Sequence, residues 1–156
     1  MVLASPRKPT IRQVPGRPVL PFGAYDARDV GMQVGEWFIS GVAGAYAADP
    51  LSEDGRWSAA VTKMAPFTTR IVTILPKPEV FNGTVVVEWL NVTRGIDTPP
   101  VWLMTHRHLV RAGYSYVGVS AQRTGLDGGS GVRGPEHIMG PENSLKHVQP
   151  GRYGDL

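Results

Sequence analysis

The sequence predicts an α/β fold, a set of strands joined to one βαβ unit at about residues 84–121, and incomplete as a sheet. Three observations predict it. Thr84-Val85-Val86-Val87-Glu88-Trp89-Leu90 is a nearly continuous apolar run, the pattern of a central strand covered on both faces. Tyr114-Ser115-Tyr116-Val117-Gly118-Val119-Ser120 is a second strand of the same buried type. Between them, Trp102, Leu103, His106, Leu109 and Val110 fall at helical spacing and form one stripe.

The elements follow in order. Residues 1–23 carry Pro6, Pro9, Pro15, Pro18 and Pro21, so they read as an extended leader rather than a folded element. The remainder, 24–156, reads as one partial domain. Residues 36–46 read as a strand broken or bent by glycine, and Asp49-Pro50 and Asp54-Gly55 mark turns. Trp57 to Val61 suits a short strand. Thr68 to Leu75 suits a better one, with Arg70, Val72 and Ile74 on one face, stopped by Pro76 and Pro78. Asn82-Gly83 signals a turn into the first buried-type strand. After a loop at 91–98, Asp97 or Thr98 can cap a helix whose first turn accepts Pro99-Pro100. Gly113 supplies its left-handed stop. Parallel strands joined by a helix bring the loop after Leu90 and the loop after Ser120 to the same sheet edge, where open α/β sheets place their sites. Residues 122–156 are glycine-rich, show little periodicity and read as loop. A lone βαβ unit leaves strand edges open, so the chain reads as the start of something longer.

Composition narrows the class. The chain has 156 residues, 42% hydrophobic and 19% charged, which fits one globular domain and not a disordered chain. Gly 19 and Pro 14 make about a fifth of it and foretell many turns and few long helices. The absence of Cys excludes a disulfide scaffold, a Cys-based zinc site and a thiol nucleophile. The net charge is only +3 and its basic residues are scattered, which argues against a nucleic-acid partner. No apolar run approaches the roughly 20 residues of a membrane span, and no secretory signal is legible, so the expected location is the cytoplasm.

Several motifs invite chemistry. Gly129-Ser130-Gly131-Val132-Arg133-Gly134 matches G-x-G-x-x-G, but it follows no strand directly and opens no helix, so a loop is preferred to a dinucleotide site. Gly118-Val119-Ser120-Ala121-Gln122 nearly matches G-x-S-x-G, yet Gln122 replaces the last Gly and a Gly-rich loop follows, so Ser120 reads as a core serine at a strand end. His106 and His108 are spaced i, i+2 and cannot share a helix face, so no metal site is expected; His106 reads as a core histidine and His108 as solvated. His137 and His147 lie in the loop-rich segment without a nameable partner. The two Asn-x-Thr sequons at Asn82 and Asn91 read as chance. Glu88, inside a buried-type strand, needs a partner; an Arg is the expected one, and orientation of a site is the alternative. No cofactor is expected.

From Phe81 to Thr93, and again at His106-Arg107, Arg111-Ala112-Gly113-Tyr114 and Tyr116-Val117-Gly118-Val119-Ser120-Ala121-Gln122-Arg123, the chain resembles the α/β-hydrolase domain-containing proteins, a bacterial group of the α/β-hydrolase superfamily. Pro66-Phe67-Thr68-Thr69-Arg70-Ile71 upstream, and Pro150, Arg152-Tyr153-Gly154 and Leu156 downstream, are similar to it too. The likeness covers roughly 36–156 with a gap-like region at 125–144. Gln149 and Asp155 depart from it, where Asp and Ser are expected. The resemblance implies the N-terminal portion of an α/β-hydrolase-type sheet. The nucleophile elbow, the acid and the catalytic His of that family come later in the chain. It also implies that Leu90-Asn91-Val92 forms the loop that gives one backbone N–H to an oxyanion hole. For Asn91 the competing reading is a loop residue that hydrogen-bonds its own backbone.

Two functions remain in view. One is the N-terminal part of an esterase-like serine hydrolase, inactive alone because it lacks the nucleophile elbow. The other is a non-catalytic module that binds the remainder of such a hydrolase, or a second copy of itself, through an open sheet edge. A nucleotide-binding domain, resting on the glycine loop alone, comes third.

Overall fold

The structure, a computed structural model, describes residues 8–48, 53–129 and 144–156. Strand β1 is Thr10–Gln13, β2 is Gln33–Ala48 and β3 is Ala59–Leu75. They are followed by β4 at Val85–Trp89, helix α1 at Pro100–Arg111 and β5 at Ser115–Val119. Short helical turns end the described chain: α2 at Arg123–Asp127, α3 at Leu145–Val148 and α4 at Pro150–Tyr153. The five strands make one mixed sheet in the order β1-β2-β3-β5-β4, antiparallel except for the parallel pair β4–β5. The strand–helix–strand unit is therefore present as the sequence predicts.

Register decides which side chains share a face. Phe38 pairs with Arg70, and Glu36 with Val72. Val72 pairs with Gly118, and Gly118 with Glu88. Because side chains alternate along a strand, Glu36, Arg70, Val72, Ile74, Tyr116 and Glu88 all point to one face. That face is the core. Helix α1 packs Trp102 and Leu109 there against Ile74 and Tyr116. The other face is covered by no described helix. Val85, Val87 and Trp89 on it are about half to two-thirds exposed.

Several expectations are corrected. Strand β4 is not central and covered on both faces; it is the last strand of the described sheet, and its apolar run reflects one buried and one bare face. The glycines of β2 do not break it. The strand runs 16 residues, with one irregularity at Ala45/Tyr46 where β3 loops out Thr62, whose hydroxyl bonds the Ala45 carbonyl at 3.2 Å. The separate short strand expected from Trp57 merges into β3, because β2 pairs with it from Ala59 onward through Pro66. The described part of the leader, residues 8–23, is folded in: residues 10–13 pair with β2, and Val14 and Leu20 are buried.

The helix begins one residue later than its expected caps. Pro99 stands at the N-cap and offers no side-chain acceptor, so neither Asp97 nor Thr98 caps α1. Leu103 of the apolar stripe is 42% exposed, because it lies at the rim of the face that Trp102 and Leu109 bury. At the other end Gly113 takes φ 73°, and a Cβ there would lie 2.0 Å from the Val80 carbonyl oxygen. Among the described residues no helix is long and apolar enough to cross a membrane.

Candidate functional site

The carboxyl ends of β4 and β5 open into two neighbouring loops. The loop after β4 closes on itself. Asn91 and Thr98 form a bridge, with Asn91 N–H donating to the Thr98 carbonyl at 2.9 Å and Thr98 N–H returning to Asn91 at 2.8 Å. The Asn91 side chain accepts the Thr93 N–H at 2.9 Å, so it bonds its own backbone. Leu90 N–H donates to Val119 at 3.0 Å. Of the three residues expected to line an oxyanion hole, Leu90 and Asn91 thus have their N–H groups engaged; the N–H of Val92 has no partner among the described residues.

Beneath this loop lies a buried ionic network that the sequence did not announce. Its hub is Arg70, fully buried on β3. The Arg70 guanidinium reaches Glu36 Oε1 at 2.6 Å and the Val19 carbonyl at 2.9 Å through Nη1. It reaches Asp97 Oδ2 at 3.2 Å through Nη2 and Ser120 Oγ at 2.8 Å through Nε. All three of its nitrogens are engaged, which is what a buried guanidinium requires. Ser120 Oγ in turn donates to Asp97 Oδ2 at 2.5 Å. Glu36 is shared with the chain's end: Arg152 Nε donates to its Oε2 at 3.0 Å, Arg152 Nη2 contacts the same oxygen, and the Tyr153 hydroxyl lies 3.0 Å from Oε1. Two carboxylates thus face two guanidiniums.

Asp97 is the least comfortable member. Its Oδ1 is buried without a hydrogen-bond partner. A Cβ on Gly125 would lie 1.9 Å from that oxygen, so only glycine fits opposite it. Burial pushes the Asp97 carboxyl up, against the opposing pull of Arg70 and Ser120. Burial and the charge of Glu36 likewise raise the Tyr153 phenol.

Glu88 is not paired with an arginine, as the sequence reading expected. Its carboxylate accepts Val101 N–H at 2.7 Å, Trp102 N–H at 3.1 Å and the Tyr116 hydroxyl at 2.5 Å. A buried carboxylate from the neighbouring strand thereby replaces the missing cap of α1, where the unpaired N–H groups and the helix dipole favour a negative charge.

Ser120 stands between the end of β5 and the short helix α2. It is buried and held by Arg70 and Asp97, and its carbonyl accepts the Thr69 hydroxyl. The segment after it is not a Gly-rich loop but the short helix α2. No described histidine reaches Ser120. His106 is half-buried, with Nδ1 3.1 Å from the Trp102 carbonyl and its ring against Tyr25; His108 is exposed beside Tyr114. His147 is exposed on α3, and His137 lies outside the described residues. Ser130–Gly134 of the glycine motif also lie outside them. Residues 144–156, read as loop, are instead seated in the core: Leu145 and Tyr153 pack with Val14, Phe38 and Leu126.

Two clefts flank the loops. One, of about 390 Å³, is lined by Asn91, Thr93, Arg94, Thr98, Pro100 and Leu103. The other, of about 620 Å³, includes Phe67, Thr69, Trp89, Gln122, Arg123 and Lys146 in its walls. Among the described residues no group of three or more His, Asp or Glu could hold a metal ion. The site therefore offers backbone donors, a buried charge network and open apolar walls.

A family model described as alpha/beta hydrolase domain matches residues 4–156. Neither the curated proteins nor the solved structures include a match.

Proposed function

Since the chain belongs to the alpha/beta hydrolase domain family, we propose that it forms the N-terminal, site-framing part of an esterase-like serine hydrolase and has no catalysis of its own. The reaction class is hydrolysis of an ester or related acyl bond. The observation that carries the reading is the state of Ser120. It stands at the carboxyl edge of β5, yet its hydroxyl lies between a guanidinium and a carboxylate in a buried network, with no imidazole bonded to it among the described residues. The nucleophile, base and acid then come from segments other than those described here. Val92 is the proposed oxyanion donor, because its N–H is not consumed by the loop's own bonding.

The test is chemical. Purified protein is exposed to a fluorophosphonate probe and to an aryl acetate. Neither labelling nor turnover is expected. Labelling that disappears on Ser120→Ala would overturn the proposal.

A second reading has its own observation. Strand β4 pairs only with β5 among the described residues, and Val85, Val87 and Trp89 lie exposed beside that open edge. This favours a non-catalytic module that docks the rest of a hydrolase, or a second copy, along β4. Sedimentation velocity separates a self-pairing chain from one that stays monomeric until a partner is added.

A further inference from the structure

The buried network joins two parts of the chain that share no strand pairing. At one end stand Arg152 and Tyr153, on the turn formed by residues 150–153. At the other stands Asp97, the last acidic residue of the loop between β4 and α1. The path between them is continuous: Arg152 and Tyr153 to Glu36, Glu36 to Arg70, Arg70 to Asp97. Glu36, Arg70 and Asp97 are all but inaccessible to water.

Charge makes the path directional. Arg70 alone cannot neutralise both Glu36 and Asp97, and the second cation is Arg152. Removing Arg152 would leave Glu36 to draw on Arg70 fully. Asp97, already with one oxygen unpartnered, would lose part of its countercharge in a dry site. The response open to it is to move the loop that carries it, or to take up a proton. Ser120, which bonds both Asp97 and Arg70, ties the same loop to the end of β5.

We propose that Arg152 and Tyr153 are positioning residues for the 91–98 loop, acting through Glu36 and Arg70, so that seating of residues 144–156 and ordering of that loop are one cooperative event. The loop is then fixed only when the later part of the chain has docked. This holds whether or not the loop serves an oxyanion.

Hydrogen–deuterium exchange on the whole chain tests it. The amides of Asn91 and Thr98 report the loop, because each is bonded across it. The amides of Val72 and Tyr116, in the central strands β3 and β5, report global opening. In Arg152→Gln, loop exchange is expected to rise about tenfold or more, in line with losing a hydrogen bond to a buried charge. Tyr153→Phe keeps the ring and deletes only the hydroxyl, so a smaller rise of a few-fold is expected, and Arg152→Lys should recover part of the protection. Val72 and Tyr116 should stay as in the unaltered protein. The proposal is overturned if either folded variant frees residues 144–156 while Asn91 and Thr98 keep their protection, or if loop and strands accelerate equally. The readout is independent of hydrolytic activity, so its failure would not touch the functional proposal, nor would fluorophosphonate labelling touch this one.

Discussion

The Glu88 carboxylate accepts the backbone N–H of Trp102 at 3.1 Å from a strand on which it was the only charged residue. With Val101 and Tyr116 it gathers three donors, one strand over from where the helix starts. Glu88→Gln keeps the shape but loses the charge facing the helix N-terminus, and should lower stability by about 1–2 kcal/mol. Glu88→Ala leaves two helix N–H groups and a buried phenol unpaired and should cost about 3 kcal/mol or more. Urea unfolding midpoints check both, with the order Gln before Ala as the decisive feature.

Asp97 should make stability fall as pH rises. Its folded carboxyl is held above the ordinary 3.8, chiefly by burial, with Arg70 and Ser120 pulling the other way. The folded protein therefore binds this proton more tightly than the unfolded one does. Its contribution is fully present below about 4 and is lost as pH rises through the folded value. Asp97→Asn removes that titration while keeping a partner for Ser120. Urea melts across this range should show the variant gaining on the unaltered protein as pH rises. A difference that stays constant with pH would show that Asp97 does not titrate in this window.

How much of this was legible follows from what each feature depends on. The β4–α1–β5 unit was, because two apolar runs and a helical stripe are local patterns. The alternation of β3 was too: Arg70, Val72 and Ile74 share the buried face. What escaped is long-range. A lone Glu in an apolar strand asks for a partner, but only the placement of the α1 N-terminus beside β4 supplies backbone N–H groups rather than an arginine. Arg70 lies 34 residues from Glu36, and Arg152 lies 116 from Glu36; no periodicity links them. The seating of residues 144–156 was hidden for a similar reason, since four-residue turns carry too few apolar positions to show a period.

The bare side of β4 gives a sharp test of self-association. Val87 is 65% exposed, flanked on its own face by Val85 and Trp89. Val87→Lys puts a charge at the middle of that patch without touching the core, so unfolding free energy should change by no more than about 0.5 kcal/mol. If copies pair along this edge, the variant should sediment as a monomer at concentrations where the unaltered chain is dimeric. Identical sedimentation of the two would exclude β4 as the contact.

Gly125 sets the last expectation. Its backbone has an ordinary helical conformation, so a methyl group there costs nothing in φ. The obstacle is Asp97, whose Oδ1 would stand 1.9 Å from the new carbon. That carboxylate cannot simply swing aside, because Arg70 and Ser120 hold its other oxygen and the surroundings are dry. Either α2 shifts outward or the network breaks. Gly125→Ala in solvent-exposed helix would normally stabilise by up to about 1 kcal/mol. Here it should destabilise, by about 2 kcal/mol or more. Pairing it with Asp97→Ser, which withdraws the obstructing oxygen, should recover much of that loss beyond the sum of the single effects. A double-mutant cycle by urea unfolding measures the coupling, and additive effects would show that the two residues do not meet in solution as they do here.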